Sequence, residues 1–518
     1  DTVLIVCPNV TIRDRLQELN PERDELSLYR TRELVPAHRM TELRRGEVFV
    51  TNWHNLERRE TRQVNGQGGR VVKRGQAVEK IRTIKVTAAM PAEQIVHQAT
   101  VGAFEILNVE KKRDGSPKAY TVRETQYLES DAAFLKRLLG GRKGRSQAIL
   151  VMNDEAHHAY RRGNVEAGDT SGEDDETTAG NIREATVWIE GLDRINKALG
   201  GKTNGIRLCV DLSATPFYIQ GSGNEVGKPF PWVVSDFSLL EAIEAGLVKV
   251  PQLPTEDGAG DGVPRYFNVW RWVQKQAQDD GLIGPVTVTE VMRYATAPIV
   301  TLASSWRETL AKWQAHFQAG NRRYDVPPVF IIVCRDTTIA RALYAWLADG
   351  DAQYGAGVPE FRNTDGREMT IRIDSKVGED IATGGTSDEA RRLRFVLETV
   401  GRTEWPGRKV PEEYAAIVEK HNRKALEDDD NDLVVINPDV PPGRDVRCII
   451  SVAMLSEGWD ATTVTHVVGL RPFGSQLLCE QVVGRALRRT SYTVDPEIGL
   501  FSEETGPICG GPSEFKRF

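Results

Sequence analysis

The sequence has 518 residues, of which 40% are hydrophobic and 27% charged, with a net charge of −7 at pH 7. A chain of this length exceeds what one hydrophobic core organises, so at least two domains are expected. No apolar run approaches the roughly 20 residues that span a bilayer, which argues against a membrane role. Six cysteines stand singly, without metal-binding spacing, as is typical of reduced core residues in a cytoplasmic protein.

Apolar runs of strand length recur along the chain, and each is followed by a polar loop and a segment of helical periodicity. This alternation predicts parallel α/β sheets. The clearest strands, enough for two separate sheets, are Val3–Cys7, Val48–Thr51, Ala148–Met152, Arg207–Leu212, Val329–Cys334, Cys448–Val452 and Thr465–Gly469. Because the first strand begins almost at Asp1, we expect the native chain to begin earlier.

A short helix is predicted over Ser238–Ala245, where Ser238 is the N-cap, Glu241 completes a capping box and Gly246 ends the helix. Sequence containing Gly and Pro follows between positions 250 and 264 and indicates a connection. We therefore expect a first domain at 1–249, a connection at 250–297 and a second domain at 298–518.

Two adjacent carboxylates, Asp154 and Glu155, follow the buried strand Ala148–Met152. A strand end that presents two acids suits a magnesium–nucleotide site, where one acid holds the metal and its neighbour polarises the attacking water. Asp154 would hold the metal, and Glu155 would act as the base. An exposed acidic pair without function is the main alternative. A zinc site built from Glu155, His157 and His158 is disfavoured, because no further ligand cluster with zinc spacing accompanies them.

Small hydroxyl residues end the next strand, in the segment Ser213-Ala-Thr-Pro216. The hydroxyls of Ser213 and Thr215 can bond to the neighbouring acidic motif and report the nucleotide state. Taken alone, the pattern is equally that of a Ser/Thr turn before a proline.

A helix is predicted over Ser475–Arg489, in which Gln481, Arg485 and Arg488 fall at i, i+4 and i+7 and share one face. Two guanidinium groups and an amide suit a triphosphate, on which an arginine finger stabilises the transferring phosphoryl group. Arg489 lies off this face and is expected to matter less. A solvated basic helix is the alternative, but four apolar residues on the same helix predict that it is packed.

A basic region extends from Leu56 to Gln147, with 19 Lys and Arg against 10 Asp and Glu. Such a region is compatible with contacts to a phosphate backbone, to which Arg142, Lys143 and Arg145 would contribute. An ordinary solvated surface is the alternative reading.

In this order the motifs resemble those of superfamily 2 DEAH-type helicases over nearly the whole chain. The matches to motifs Ia, Ib, II, III, IV, V and VI are Cys7–Asn9, Val50–Trp53, Asp154–His157, Ser213–Thr215, Phe330–Cys334, Ser456–Asp460 and Gln481–Arg488. The longer stretch Val446–Arg489, with Gly469-Leu-Arg471, is most similar to the Res subunit of type III restriction enzymes.

The resemblance implies an α/β fold of two RecA-like domains with parallel central sheets, binding ATP and magnesium and translocating on double-stranded DNA. It allows a modification methyltransferase subunit as a further partner. It also implies roles for single residues: Asp154 and Glu155 as the magnesium and water-activating acids; Ser213 and Thr215 as the coupling hydroxyls; Gly458 and Asp460 at the nucleotide or its arginine partner; Gln481, Arg485 and Arg488 at the phosphates; and Asn9, Thr51 and Asn52 at the nucleic-acid backbone.

The chain departs from the family pattern because no phosphate-binding glycine loop precedes the first motif. We therefore expect the first domain to lack its phosphate-loop strand, and residues 1–518 alone not to hydrolyse ATP. The one similar segment, Leu199–Thr203, follows a helical run and has Asn196 where the first glycine should stand. An RNA or repair helicase and a non-catalytic nucleic-acid-binding fragment stay open as alternatives. Residues 506–518 do not resemble the family's continuation, and no endonuclease cluster is recognisable.

Overall fold

The structure of the chain is a computed structural model. It describes residues 2–59, 76–87, 90–100, 104–112, 115–140, 148–161, 175–200, 205–218, 222, 224–225, 227–252, 268–364, 367–373, 388–427, 434–452, 459, 461–471, 484–494, 496, 499–501 and 504–509. The chain divides into two compact units, one of Asp1–Pro8 with Leu16–Phe230 and one of Asn9–Arg15 with Pro231–Phe518. None of the helices in the described part combines the length and apolar character needed to cross a membrane.

The strands are β1 (Thr2–Cys7), β2 (Glu47–Asn52), β3 (Gln76–Lys85), β4 (Glu105–Lys111), β5 (Pro117–Leu128), β6 (Ala148–Asp154), β7 (Gly205–Leu212), β8 (Val250–Gln252), β9 (Val329–Cys334), β10 (Thr370–Ile373), β11 (Cys448–Ser451), β12 (Val464–Leu470) and β13 (Thr505–Cys509). All seven strands predicted from the sequence are present, with ends that differ by at most about two residues.

The α-helices are α1 (Val10–Leu16), α2 (Leu28–Thr31), α3 (Met40–Leu43), α4 (Ala92–Thr100), α5 (Asp131–Leu139), α6 (Asp175–Ala198), α7 (Leu239–Glu244), α8 (Val269–Asp279), α9 (Val288–Gln318), α10 (Thr337–Tyr344), α11 (Asp388–Thr399) and α12 (Glu412–Glu427). The capping box predicted for α7 is confirmed, because Ser238 accepts from the Glu241 amide and the Glu241 side chain accepts from the Ser238 amide.

The main sheet of the first unit has four parallel strands in the order β2-β1-β6-β7. Apolar side chains of β1 and β6 pack against Trp53, Phe134 and Trp188, which come from the turn after β2 and from α5 and α6. At Gly191 of α6 an added Cβ would lie 2.6 Å from the Cβ of Leu56, so the absence of a side chain there allows the helix to pack closely. This core fixes the strand ends at which the acidic motif lies.

The first unit also contains a small antiparallel sheet in the order β3-β5-β4, which the sequence analysis did not predict. Helix α4 covers one face through Ile95, which packs on Tyr120 and Val122. The strands carry many charges, and these pair across the sheet, as in Arg82–Glu124 at 2.9 Å and Arg123–Glu105 at 3.2 Å. Part of the predicted basic region is therefore an internally paired surface.

The second unit is built on six parallel strands in the order β10-β11-β9-β12-β13-β8. Helices α8, α9 and α10 pack on one face of this sheet, and α11 packs on the other. The stretch 250–297, predicted as a connection, contributes β8, α8 and the first turns of α9 to this unit. Pro298 lies inside α9, so the start predicted for the second domain falls within a helix. The segment 506–518 contributes residues to β13.

Candidate functional site

The carboxyl ends of four parallel strands meet along one edge of the first sheet. The register pairs Cys7 with Asn52, and Asp154 with Leu212. Since ligands of open α/β proteins bind at this edge, its side chains are the first candidates for a binding site. Six of the residues predicted for the site lie at or directly after these strand ends: Thr51, Asn52, Asp154, Glu155, Ser213 and Thr215.

Asp154 ends β6, and Glu155 then takes a left-handed backbone conformation with φ 50° and ψ 48°. A residue with a Cβ atom pays roughly 1–2 kcal/mol for this conformation. Backbone strain of this kind persists only where the surroundings hold it, and it is concentrated at functional sites. Both carboxylates are partly buried, so the turn presents two neighbouring acids at the sheet edge.

His157 connects the acidic motif to the hydroxyl motif. Its Nδ1 lies 3.0 Å from Oγ of Ser213, 3.4 Å from Oγ1 of Thr215 and 3.4 Å from Oε2 of Glu155. The backbone amide of Thr215 donates to Oγ of Ser213 at 3.0 Å, which orders the hydroxyl turn. His157 and Thr215 are almost completely buried, whereas Glu155 and Ser213 are partly exposed, so the imidazole is shielded from water and the carboxylate is still accessible.

Asn153, the residue before the acidic pair, anchors the strand end from the opposite face. It accepts from Nε1 of Trp188 at 3.0 Å and donates to Oδ1 of Asp211 at 2.7 Å. Because side chains alternate along a strand, Asn153 lies on the α6 side and Asp154 on the other side of the sheet. The buried amide thereby fixes β6 and β7 relative to each other beside the candidate site.

The residues predicted to meet nucleic acid are all buried. Asn9, Thr51 and Asn52 are 6%, 6% and 3% exposed. Oδ1 of Asn9 accepts from the Ile12 amide at 2.9 Å, and Oδ1 of Asn52 accepts from Asn55 at 2.7 Å. The structure therefore gives two of these side chains local structural bonds, and their contact with a phosphate backbone stays a prediction.

The helix predicted over Ser475–Arg489 is shorter at its carboxyl end than expected. Residues 484–486 are helical, and the chain then turns so that Arg488 forms a backbone bridge with Val248. The prediction that Arg485 and Arg488 share one continuous helical face is therefore wrong, because a tertiary pairing ends the helix between them. Instead, Nη1 of Arg488 donates to the carbonyl of Trp459 at 3.1 Å.

Arg485 and Arg489 are both buried in the second unit, at 9% and 5% exposure. Arg489 donates to the Ser491 carbonyl at 3.0 Å, and its Nη2 lies 3.8 Å from the Glu504 carboxylate. Arg489 is thus part of the structural core. Of the other residues predicted in this region, Gly458, Asp460 and Gln481 lie outside the described residues, as do Arg142, Lys143, Arg145 and Lys202 of the first unit.

Two arginines at the carboxyl edge of the second sheet were not predicted as site residues. Arg335 follows β9 and Arg471 follows β12, and the Arg335 amide donates to the Leu470 carbonyl at 3.1 Å. Burial lowers the pKa of Arg471 from its ordinary value, and the Arg335 guanidinium lies over the ring of Trp270. The sequence pattern that could have identified these two residues is an arginine directly after an apolar strand.

Within the described ranges, no group of three or more His, Cys, Asp and Glu side chains converges on a possible metal position. Mg²⁺ retains several waters and is held by one or two carboxylates together with substrate phosphates, so it does not need such a cage. Asp154 with its neighbour Glu155 offers a donor set of this sparse, oxygen-only kind.

Fold and site together define a mixed α/β protein with two parallel sheets and an acidic strand-end motif. No family model matches the chain. No curated protein matches it either. Among solved structures, the chain is similar to an "ATP-dependent Type ISP restriction-modification enzyme LlaBIII bound to DNA", with a TM-score of 0.32 and 11% sequence identity. The similarity covers 98% of this chain and 24% of that one, so the chain spans about a quarter of that enzyme's length.

Proposed function

We propose that the chain is the motor core of an ATP-dependent translocase that acts on double-stranded DNA, of the kind found in the Res subunit of type III restriction enzymes. The observation that carries the proposal is the set of contacts around His157, which brings the Glu155 carboxylate and the Ser213 hydroxyl to one imidazole nitrogen. A hydrolytic motor needs this connection, because the state of the phosphate must be passed on to a mobile part of the protein.

In this proposal Asp154 would hold a magnesium ion, which would neutralise charge on the phosphates, and Glu155 would activate the attacking water. The left-handed turn at Glu155 sets the second acid beyond the end of the strand. Ser213 and Thr215 sense the hydrolytic state through His157. Arg485 and Arg488, together with Gln481, would stabilise charge on the transferring phosphoryl group, while Gly458 and Asp460 would contact the nucleotide or its arginine partner. A modification methyltransferase is the proposed partner subunit.

The test is phosphate release by the complete protein with ATP and magnesium, in the presence of double-stranded DNA, single-stranded DNA or RNA. Stimulation by double-stranded DNA above the other two polymers supports the proposal. Stronger stimulation by RNA would assign the motor to an RNA helicase instead. If a protein that also carries a phosphate loop binds DNA but does not hydrolyse ATP, the chain is a nucleic-acid-binding module without motor activity.

A further inference from the structure

The antiparallel sheet β3-β5-β4 forms a separate module of the first unit. Its core around Tyr120 is distinct from the core that packs under the main sheet. The carboxyl end of β5 is anchored, because the Glu129 amide directly after it donates to the Arg59 carbonyl at 2.9 Å, and the Glu129 carboxylate accepts from Nε of Arg137 at 3.1 Å. Since β5 has twelve residues, its opposite end lies roughly 36 Å away along the strand. The module therefore has an anchored end and a far end.

In the half of the module nearer the anchored end, the charged side chains pair with each other. Arg82 of β3 lies 2.9 Å from the Glu124 carboxylate. Arg123 of β5 lies between two carboxylates, at 3.6 Å from Glu79 and 3.2 Å from Glu105. With the neighbouring lysine of β3, three basic groups offset three acidic ones, so this half is close to neutral.

The far end of the module carries a cluster of lysines. Because β3 and β4 both run antiparallel to β5, their carboxyl ends lie beside the start of β5. The register pairs Lys85 with Ala119 and Lys111 with Pro117. Four exposed side chains lie at this end, and we call them the lysine tip: Lys85, Lys111, Lys112 and Lys118.

Three lysines of the tip have no opposite charge in contact. Lys118 forms an ion pair with Glu110 at 2.6 Å, and both of these side chains are more than half exposed. Across the part of the chain that the structure describes, Lys85, Lys111 and Lys112 form no ion pair and no side-chain hydrogen bond. Their ammonium groups therefore face water, and each has three hydrogens to donate to an acceptor on another molecule.

The remaining acidic residues at this end do not cancel the charge of the tip. Glu93 lies in the first turn of α4, where it compensates the partial positive charge of the helix amino terminus. Arg113 and Asp114, which lie outside the described residues, have opposite charges. Four lysines against Glu93 and Glu110 leave two positive charges in excess, on a chain whose net charge is −7. Such a local reversal of sign attracts a polyanion, most strongly at low salt.

The residue type and the spacing of the tip fit a nucleic-acid backbone. Lysine acts on a phosphate as a mobile point charge and carries no sequence information. The strands β3 and β4 are separated by two strand spacings, roughly 10 Å. This distance spans about three phosphates of one DNA strand, at about 3.4 Å of helix axis each. None of the described residues at this end presents an exposed aromatic ring, which disfavours stacking on unpaired bases and insertion into a membrane interface.

We propose that the lysine tip binds the phosphate backbone of double-stranded DNA without reading its sequence. This inference rests on the proposed function for the choice of double-stranded DNA as the partner. It adds a second DNA contact, in a different sheet from the strand-end residues Asn9, Thr51 and Asn52. Because each lysine releases counterions from the DNA, the contact contributes most at low salt and steers the duplex toward the first unit.

The test is fluorescence anisotropy of the complete protein with two labelled duplexes of unrelated sequence, over a range of salt concentrations and without ATP. The combined substitution Lys85→Gln, Lys111→Gln and Lys112→Gln should lower the slope of log affinity against log salt by about 1 per lysine. Both duplexes should lose affinity equally, by about tenfold or more at about 0.1 M salt. Replacement of the same three residues by Arg should retain slope and affinity, because the charge remains.

A matched control removes three exposed lysines on α6, α9 and α12: Lys197→Gln, Lys312→Gln and Lys424→Gln. This variant has the same net charge as the tip variant and should bind DNA like the parent protein. Equal losses in the two variants would show that only the net charge of the protein matters. An unchanged slope in the tip variant would remove the tip from the interface. Either result would overturn the proposal.

Lysine acetylation gives a second measurement that needs no substitution. Duplex DNA should protect Lys85, Lys111 and Lys112 of the parent protein from acetylation, read by mass spectrometry, and leave Lys424 unchanged. Absence of protection, or equal protection by poly-glutamate, would contradict a DNA contact. Phosphate release in the same samples separates this inference from the proposed function. Tip-dependent DNA binding without DNA-stimulated hydrolysis contradicts the motor alone, whereas stimulated hydrolysis with an unchanged slope in the tip variant contradicts the tip alone.

Discussion

Nδ1 of His157 lies 3.0 Å from Oγ of Ser213, a contact between residues 56 apart in the chain that joins the turns after β6 and β7. The same imidazole nitrogen is 3.4 Å from the Glu155 carboxylate. A shift of the imidazole therefore changes its hydrogen bonds to the hydroxyl motif and its distance from the carboxylate, so one ring connects the two motifs.

Ser213→Ala should therefore lower DNA-stimulated hydrolysis by about tenfold, while ATP binding changes little, because His157 loses a partner that orients it toward Glu155. Steady-state phosphate release with and without DNA, together with nucleotide titrations, measures both effects. Ser304→Ala is the control, since this exposed hydroxyl on α9 donates to the Val300 carbonyl of its own helix. Equal effects of the two substitutions would contradict a coupling role for Ser213.

Glu155→Gln in the complete protein should abolish hydrolysis and leave nucleotide binding largely intact, because Asp154 remains to hold magnesium. The two side chains have the same shape, so the left-handed turn is retained. Rapid-quench and equilibrium binding assays separate the two effects. Glu190→Gln, at an exposed position of α6, should behave as the parent protein. Near-normal turnover of Glu155→Gln would show that the base lies elsewhere.

Arg485→Ala should reduce turnover by about 10³ or more if this residue acts as the arginine finger. Its control is Arg423→Ala on α12, where the side chain is 64% exposed. Arg489→Ala is unsuitable for that purpose, because its guanidinium is buried against Glu504 and its loss should lower the free energy of unfolding by about 3 kcal/mol or more. A small effect of Arg485→Ala on turnover, at unchanged stability, would assign Arg485 to packing.

Stability should depend on pH through Glu398, where burial raises the carboxyl pKa from 4.5 to about 7. The folded state then holds a proton that the unfolded state releases, so stability from this group is lost as pH rises from about 4.5 to 7. Relative to the parent, Glu398→Gln should gain about 1 kcal/mol between pH 5 and pH 8. The free energy that corresponds to the whole pKa shift is larger, but 35% of the Glu398 side chain is exposed, so solvent screens its charge. Urea denaturation at the two pH values measures the difference, and a constant difference would contradict the assignment.

Much of the fold followed from the sequence because its main strands are continuous apolar runs that parallel sheets bury on both faces. The capping box of α7 could also be predicted, because it is formed by residues close together in the chain. The antiparallel sheet β3-β5-β4 could not be predicted in this way. Its charged residues pair across strands, as Arg123 does with Glu105. A local pattern cannot show such pairs.

The sequence predicted which residues belong to the candidate site better than it predicted how those residues are arranged. Apolar strands followed by acids or hydroxyls indicated which residues meet at the sheet edge. The left-handed turn at Glu155 and the central place of His157 depend on contacts between separate strands. The helix after Gly484 ends early for a similar reason, because the bridge between Arg488 and Val248 joins residues far apart in the chain.

Strand β8 lies at the edge of the described sheet and pairs there with β13, although roughly 250 residues separate them in the chain. Contacts between such distant segments form slowly and late. During synthesis at about 5–20 residues per second, β8 would wait tens of seconds for its neighbour in the sheet. Until then the ammonium group of Lys249 lacks the Glu504 carboxylate, and the adjoining edge of β12 is open to pairing with other chains. The newly made second unit is therefore expected to need protection from aggregation until β13 has left the ribosome.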